Sequence, residues 1–365
     1  VPRPRRSGVS TITRVPRPRH RGAHAGAAVT PVRLPALGPG SASAFGLPPV
    51  SRLSERSWGI ALDARPCSNE LLCCRVTDMS MQSWNVSEVT KLLLEAGHTA
   101  LSYFDAKSPS LKSDSSIVTE ADTYIEAELA KHLDDPEQGV YMIGEETNEQ
   151  RGEDYVQRAL HGTTWVVDPI DGTSPYAFHL PSWGISIGLM YNNRLQEGAI
   201  FLPASGEMAV TDGDTVLYGE LGCNPEKWDP SVLAPFNYTA LGNPGGGIVS
   251  LAQGVLKRGR FTGDYTIHAV GSCVYSVIAM LRGAFVGYVA TIKLWDIAAA
   301  IPMLQKLGFV MKFGDGTHYD GSVDERSYLL SPDAERRWYM RGHLYIAVDE
   351  PTCDDLIEHT HFSHA

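Results

Sequence analysis

Four short segments carry acids in positions that could do chemistry: Thr119-Glu120-Ala121-Asp122, Gly144-Glu145-Glu146-Thr147, Asp168-Pro169-Ile170-Asp171-Gly172-Thr173 and Trp295-Asp296-Ile297-Ala298-Ala299. In the third, the apolar run Trp165-Val166-Val167 leads straight into two carboxylates that flank Pro169-Ile170. Pro169 fixes its φ and removes a backbone donor, which predicts that the strand stops there, and Gly172 permits tight backbone geometry just after. Two carboxylates forced together at the end of a buried strand raise each other's pKa, and a hard divalent cation relieves that repulsion. Mg²⁺ suits such a place, because it prefers oxygen ligands, keeps several waters and commonly combines one or two carboxylates with a substrate phosphate. Glu145 and Glu146 likewise follow an apolar run that ends at Ile143, so two acid-tipped strands can converge at one sheet edge.

Taken singly, each segment has an ordinary explanation. Asp171-Gly172 reads as a turn, Glu145-Glu146 as a solvated loop, Asp296 as a helix N-cap and Asp122 as surface charge on a helix. Their joint occurrence, in this order, outweighs those separate explanations.

The elements that must position these acids can be read from periodicity. Val89, Leu92, Leu93, Ala96, Ala100 and Tyr103 recur at helical spacing, with Ser87 as the expected cap. Ile125, Leu129 and Leu133 repeat every four residues and predict a second helix, after a polar loop over 107–116. Strands are expected over 140–143, 165–168, 183–190, 195–201 and 207–211, with a turn at Asn192-Asn193. Pro225 to Gly247 is turn-rich. Beyond it, helices fit 272–281 and 296–307, and strands fit 285–289, 309–313 and 344–348. Helices and strands in blocks, rather than strict alternation, imply stacked layers of helix and sheet.

Bulk composition sets outer bounds. With 365 residues, 43% of them hydrophobic, the chain can bury a sizeable core. Residues 1–54 hold nine arginines and no acid; set against the overall −11, this leaves −20 on the remainder. A body this acidic excludes a nucleic-acid polymer as main partner and suits collection of divalent cations. No apolar run reaches the ~20 residues needed to span a bilayer, so no membrane partner is expected. Six cysteines, without a C-x-x-C pair, read as thiols of a reducing compartment, implying a cytoplasmic location. Residues 1–80 stand apart: the Pro-, Arg-, Gly- and Ser-rich stretch shows no periodicity and cannot offset its ordering entropy. It reads as a transit peptide, as a disordered basic tail, or as sequence outside the native protein. The first implies organelle import. The chain opens at Val1, and Met79 and Met81 stand just before the first helical pattern, which favours the third.

The four acidic segments resemble the signature of the inositol monophosphatase superfamily, the Mg²⁺-dependent, Li⁺-sensitive phosphatases. That family's pattern is an acid on the first helix pair, then G-E-E, then D-P-[IL]-D-G-T, then W-D-x-A, and the chain matches it in order over about residues 85–350. The resemblance implies an α/β, αβαβα five-layer sandwich of the inositol monophosphatase and fructose-1,6-bisphosphatase type. It would comprise an N-terminal metal-binding subdomain over 81–215 and a C-terminal subdomain over 216–365. It also implies two to three Mg²⁺ ions. Glu145, Asp168 and the carbonyl of Ile170 would hold the first, Asp168, Asp171 and Asp296 the second, and Glu145 would help with a third. Thr173, paired with Asp122, would orient and deprotonate the attacking water. Backbone N–H groups of Gly172 and Thr173 would hold phosphate, with Ser272 nearby and Lys112 on the loop before Asp122. A homodimer is expected on the same ground.

The chain departs from the pattern in three places. Ser174-Pro175-Tyr176 follows Thr173 where the family usually has Asn, Lys or Gly and then Phe. Val289 stands seven residues before Asp296, where the inositol enzymes carry a glutamate that contacts a sugar hydroxyl. The spacing from Lys112 to Asp122 is one residue short. None touches a metal ligand, so the expectation is retained hydrolysis with an altered leaving-group pocket. The expected substrate is a small phosphorylated metabolite, a sugar or polyol phosphate with inositol monophosphate as default. A 3′(2′),5′-bisphosphate nucleotide, fructose 1,6-bisphosphate and histidinol phosphate are the alternatives, and a non-catalytic phospho-ligand-binding relative is the reading from another class. The Gly242 to Gly247 run lacks the G-x-G-x-x-G spacing of a nucleotide loop, and Asp315-Gly316-Thr317 reads as a plain turn.

Overall fold

A computed structural model describes residues 84–104, 110–111, 117–118, 120–238 and 246–362. Lys112 and the segment 1–80 lie outside the described residues. In chain order the first elements are α1 (Val86–Phe104), the short antiparallel pair β1 (Ser110–Leu111) and β2 (Ile117–Val118), α2 (Glu120–Leu133) and β3 (Val140–Gly144). Next come α3 (Glu153–His161), β4 (Thr163–Asp171), α4 (Thr173–Ala177), β5 (Gly184–Tyr191), β6 (Arg194–Leu202), β7 (Glu207–Asp212), β8 (Thr215–Glu220) and β9 (Ala234–Pro235). The remainder comprises β10 (Ile248–Leu251), α5 (Gln253–Arg258), β11 (Gly259–Phe261), β12 (Thr266–His268), α6 (Cys273–Leu281) and β13 (Gly287–Ala290). It closes with α7 (Leu294–Ile297), α8 (Ala300–Lys306), β14 (Val310–Phe313), β15 (Leu344–Ala347), α9 (Glu350–His359) and β16 (Thr360–Phe362).

Two sheets organise these elements. The larger has the order β3-β4-β5-β6-β7-β8-β9 and is antiparallel except for the parallel β3–β4 pair. The smaller is mixed, in the order β12-β10-β13-β15-β14. Three apolar clusters show how they stack. Val89, Leu93, Ile125 and Leu129 of α1 and α2 pack with Trp165, Ile187 and Phe201 on one face of the large sheet. On its other face Val166, Met190 and Ile200 meet Val277 of α6, Ile297 of α7 and Met303 of α8, which in turn cover Tyr288 and Ile346 of the small sheet. The small sheet's far face buries Val249, Val289 and Tyr345 against Val255 of α5 and Leu356 of α9. Helix, sheet, helix, sheet, helix is the expected layered α/β sandwich, and each layer has buried apolar surface on the side it presents to the next.

Local chemistry explains where the elements differ from expectation. The cap of α1 is Asn85, whose Oδ1 accepts from Glu88 N at 3.1 Å, rather than Ser87; the helix starts at Val86, so Ser87 already lies inside the first turn and Asn85, as good a cap as serine, holds the flanking position. Pro169 does not end its strand. β4 runs through to Asp171, whose pairing with Gly184 resumes after a register shift between Asp168 and Asp171. The missing N–H of Pro169 falls within that irregularity, where no ladder bond is required. The expected helix 296–307 is two pieces, α7 and α8. Pro302 cannot donate to the carbonyl of Ala298, so the ladder breaks there. Asn192 and Asn193 have φ of 46° and 60°, as a two-residue hairpin turn between β5 and β6 requires. Helices α3 and α9 and strands β8, β10 and β12 were not expected from periodicity.

Candidate active site

Three of the acids arrive at one point from three elements. Glu145 follows the end of β3, Asp168 lies in β4 next to β3, and Asp296 lies in α7 of the central helical layer. An oxygen from each lies within 4.8 Å of the others. Asp168 is fully enclosed and Glu145 and Asp296 are half-buried. Asp296 is not the cap of its helix but its third residue: its Oδ2 accepts from Lys293 N at 2.9 Å.

Asp171 lies beside this trio and is held by the start of α6. Its Oδ2 accepts from Ser272 Oγ at 2.5 Å and from Val274 N at 2.7 Å, while Ser272 Oγ also accepts from Tyr275 N as the N-cap. The positive end of α6 therefore points at a buried carboxylate. Gly172 follows with φ of 91° and packs so closely on Ser272 that a Cβ would come within 2.9 Å of the Ser272 Cβ. This is a position only glycine fits. Thr173 then opens α4. Its Oγ1 is 3.4 Å from Asp122 Oδ1 and 3.2 Å from the Ile170 carbonyl oxygen, so a single hydroxyl proton is shared between two acceptors. Asp122 is buried in α2, not surface charge.

Burial and mutual repulsion govern the electrostatics. Burial first, then Glu145, Asp171 and Asp296, pushes the Asp168 carboxyl well above the usual range. Asp171 is pushed up to about 7 by burial, against the opposing hydrogen bonds of Ser272 and Val274. Asp296 is pushed up to about 8 by burial and by Asp171 and Glu145. One cation among the described residues answers them: Lys293 Nζ lies 3.0 Å from Glu145 Oε1. Burial pulls its ammonium down, but Glu145 and Asp296 outweigh that and hold it above its ordinary value. Lys293 was missed in the sequence, although a lysine three residues before Asp296 was a visible signal.

A cavity of about 210 Å³ adjoins the acids. Asp171, Asp296 and Ser272 form its acidic side, and Gln253, Tyr288 and Thr291 contribute neutral polar groups. Thr291 Oγ1 is 2.6 Å from His343 Nδ1, and burial, with Arg258 and Arg336, pushes that imidazole down to about 4, so it is neutral near pH 7. Val289, by contrast, does not line this cavity. It faces the outer cluster with Leu356, so its apolar character is a packing matter and says nothing direct about a sugar hydroxyl. The Ser174-Pro175-Tyr176 departure is also structural. Tyr176 donates to the Ala100 carbonyl at 2.6 Å and packs edge-on to Trp183, tying α4 to α1.

The donor set is entirely oxygen, drawn from carboxylates buried close together with a shortage of positive charge, and it fits a hard divalent cation better than a thiol- or imidazole-seeking metal. Known proteins resemble this chain in sequence and in fold. The sequence profile described as the inositol monophosphatase family matches residues 81–350. The chain belongs to the inositol monophosphatase family, and with it to the phosphomonoester hydrolases. An inositol-1-monophosphatase of Mycolicibacterium smegmatis is 27% identical over 271 residues, which are 70% of this chain and 88% of that protein. A histidinol-phosphatase of Chlorobaculum parvum is 33% identical over 122 residues, 32% of this chain and 44% of that one. Among solved structures, an IMPase of Thermotoga maritima superposes with a TM-score of 0.55 at 17% identity, covering 74% of this chain and 96% of its own. The structure of an IMPase/NADP phosphatase complexed with Mg²⁺ and phosphate gives 0.55 at 15% identity, covering 74% and 94%. At these identities the two structures establish the shared fold.

Proposed function

We propose that the chain hydrolyses a small phosphomonoester, a sugar or polyol phosphate with inositol monophosphate as the lead substrate, at a site that holds two to three Mg²⁺ ions. The observation that carries this reading is the trio of carboxylate oxygens from Glu145, Asp168 and Asp296 within 4.8 Å, set beside a cavity whose side away from the acids offers the neutral polar groups of Gln253, Tyr288 and Thr291. Glu145, Asp168, Asp171, Asp296 and the Ile170 carbonyl would hold the ions. When bound, the ions lower the pKa of a water to give a hydroxide nucleophile and neutralise the departing alkoxide.

The chain's own residues supply position and charge. Thr173 Oγ1, held between Asp122 and the Ile170 carbonyl, can accept a hydrogen bond from a water, and Asp122 is placed to take up a proton through it. Backbone N–H groups of Gly172 and Thr173 at the start of α4 offer donors to phosphate oxygens. Ser272 fixes Asp171, and Gln253 and Thr291 offer hydrogen bonds to hydroxyls of a leaving group. The described lining of the cavity carries no lysine, arginine or histidine, which supports a monophosphate over a bisphosphate, since a second phosphoryl group would find no cation there. The partial match to a histidinol-phosphatase keeps histidinol phosphate as the second substrate to try.

The test is phosphate release from a panel of monophosphates and bisphosphates, with and without Mg²⁺ and Li⁺, beside Asp168→Asn. Mg²⁺-dependent, Li⁺-inhibited release that the substitution abolishes is the expected result. No release from any ester by folded protein that binds Mg²⁺ would replace this reading with that of a phospho-ligand-binding relative.

A further inference from the structure

Glu126 has no part in the chemistry above, yet it is a fully buried carboxylate next to the site. It lies one helical turn beyond Asp122 on α2, so the two acids share a face of that helix. Each of its oxygens is committed: Oε2 accepts from Glu146 N at 2.8 Å, and Oε1 accepts from Thr147 N at 2.8 Å. These are the two peptide N–H groups immediately after Glu145. On the other side of Glu145 the packing is equally close, since a Cβ on Gly144 would fall onto the Glu126 carboxyl. The backbone before and after Glu145 therefore rests on one buried side chain. Asn148 completes the hold, its Nδ2 donating to the carbonyls of Gly144 at 3.1 Å and Glu145 at 2.7 Å.

Glutamate is the side chain that this arrangement selects. Two backbone N–H groups converge on it, and a carboxylate presents two equivalent acceptors at the right reach. Glutamine presents one acceptor and one NH₂, and the NH₂ would face a backbone donor. Burial raises the Glu126 carboxyl above its ordinary range, a cost that the bonds to Thr147 and Glu146 work against. Because Asp122, four residues earlier, meets Thr173 at the far end of β4, consecutive turns of α2 touch the loops after both acid-bearing strands.

We propose that Glu126 is a positioning residue: by bracketing the backbone around Glu145 it sets where that carboxylate meets Asp168 and Asp296, and so sets the site's affinity for a divalent cation. This rests on reading the site as a cation centre. The experiment is calorimetric titration of the full chain with Mg²⁺ for wild type, Glu126→Gln, Glu145→Gln and the double variant. Glu126→Gln should weaken Mg²⁺ binding on the order of 10-fold, as loss of a bracing contact behind a metal ligand does. Acting through Glu145, it should add less than about twofold in the double variant, since coupled residues do not combine independently. Hydrogen exchange at the Glu146 and Thr147 amides should quicken in the same variant. If Glu126→Gln does not fold, Glu126→Asp, which keeps both oxygens but draws them back by one methylene, is read the same way. Mg²⁺ affinity within twofold of wild type, or full multiplication of the two effects, overturns the proposal. Wild type that binds no Mg²⁺ overturns the cation-centre reading itself, so the two failures are distinct.

Discussion

The two sides of the site obey different chemical constraints. Around β3, β4 and α7 the side chains are acids: Glu145, Asp168 and Asp296 crowd together at the cost of strong mutual repulsion. Around β13 and α5 the groups are neutral: Gln253, Tyr288 and Thr291, with an uncharged His343 behind them. A hard cation demands oxygen ligands at fixed geometry, so the first side has few permissible sequences. The second side can read a hydroxylated leaving group with almost any amide or hydroxyl placed at the right height. Substitution should separate the two sides: damage to the first removes turnover whatever the ester, whereas damage to the second changes which ester is preferred.

The largest effect is expected from Asp168→Asn, a loss in kcat of at least about 10³-fold with Mg²⁺ binding abolished in calorimetry. A variant that keeps turnover would break the division at its strongest point. Thr173→Val should cost roughly 10²-fold in kcat, the scale of one positioned catalytic group, while leaving Mg²⁺ affinity near wild type. Gln253→Ala and Thr291→Val should raise KM by roughly 10-fold, about 1.4 kcal/mol per lost hydrogen bond, with little change in kcat for the best ester. Were they instead to weaken Mg²⁺ binding, the two sides would be one.

Metal removal gives a further test. In the metal-free fold Asp171 and Asp296 bind their protons more tightly than an unfolded carboxyl of ordinary value near 3.8, with values of about 7 and about 8. Their contribution to stability is complete below about pH 4 and is lost as pH rises through 7 and 8. Metal-free protein should therefore melt lower at pH 8 than at pH 5.5, and saturating Mg²⁺ should flatten that slope. The smallest effect is expected from Lys293→Met. Without the ammonium beside Glu145 the metal-free melting temperature should fall by about 3 °C, with a smaller fall under saturating Mg²⁺, measured by differential scanning calorimetry.

The same contrast explains what could be read from the sequence. Asp168, Asp171 and Glu145 were legible because apolar runs led directly into them, and the long helices α1 and α2 showed themselves by four-residue repeats. Helix α3 was not read because only Val156, Ala159 and Leu160 mark its buried face over nine residues. Strand β10 contributes four residues, too few for a period to show. Glu126 looked like any helical acid, since its role depends on two backbone amides twenty residues away. Gln253 and Thr291 gave no signal, because neutral polar residues at strand and helix ends are common everywhere. Val289 was half legible for a related reason: a position relative to Asp296 can be counted, but the face of the strand on which it falls cannot.

The central helical layer has a bearing on how this molecule comes apart. Residues of α6, α7 and α8 bury the inner faces of both sheets in one continuous apolar cluster. Neither sheet can lose its neighbour without exposing its own interior, so there is no natural seam along which half the molecule could melt while the other half survives. Unfolding of this body in denaturant should then be a single transition. Tryptophan fluorescence from Trp165 or Trp183, on the outer face of the large sheet, should trace the same curve as circular dichroism of the whole.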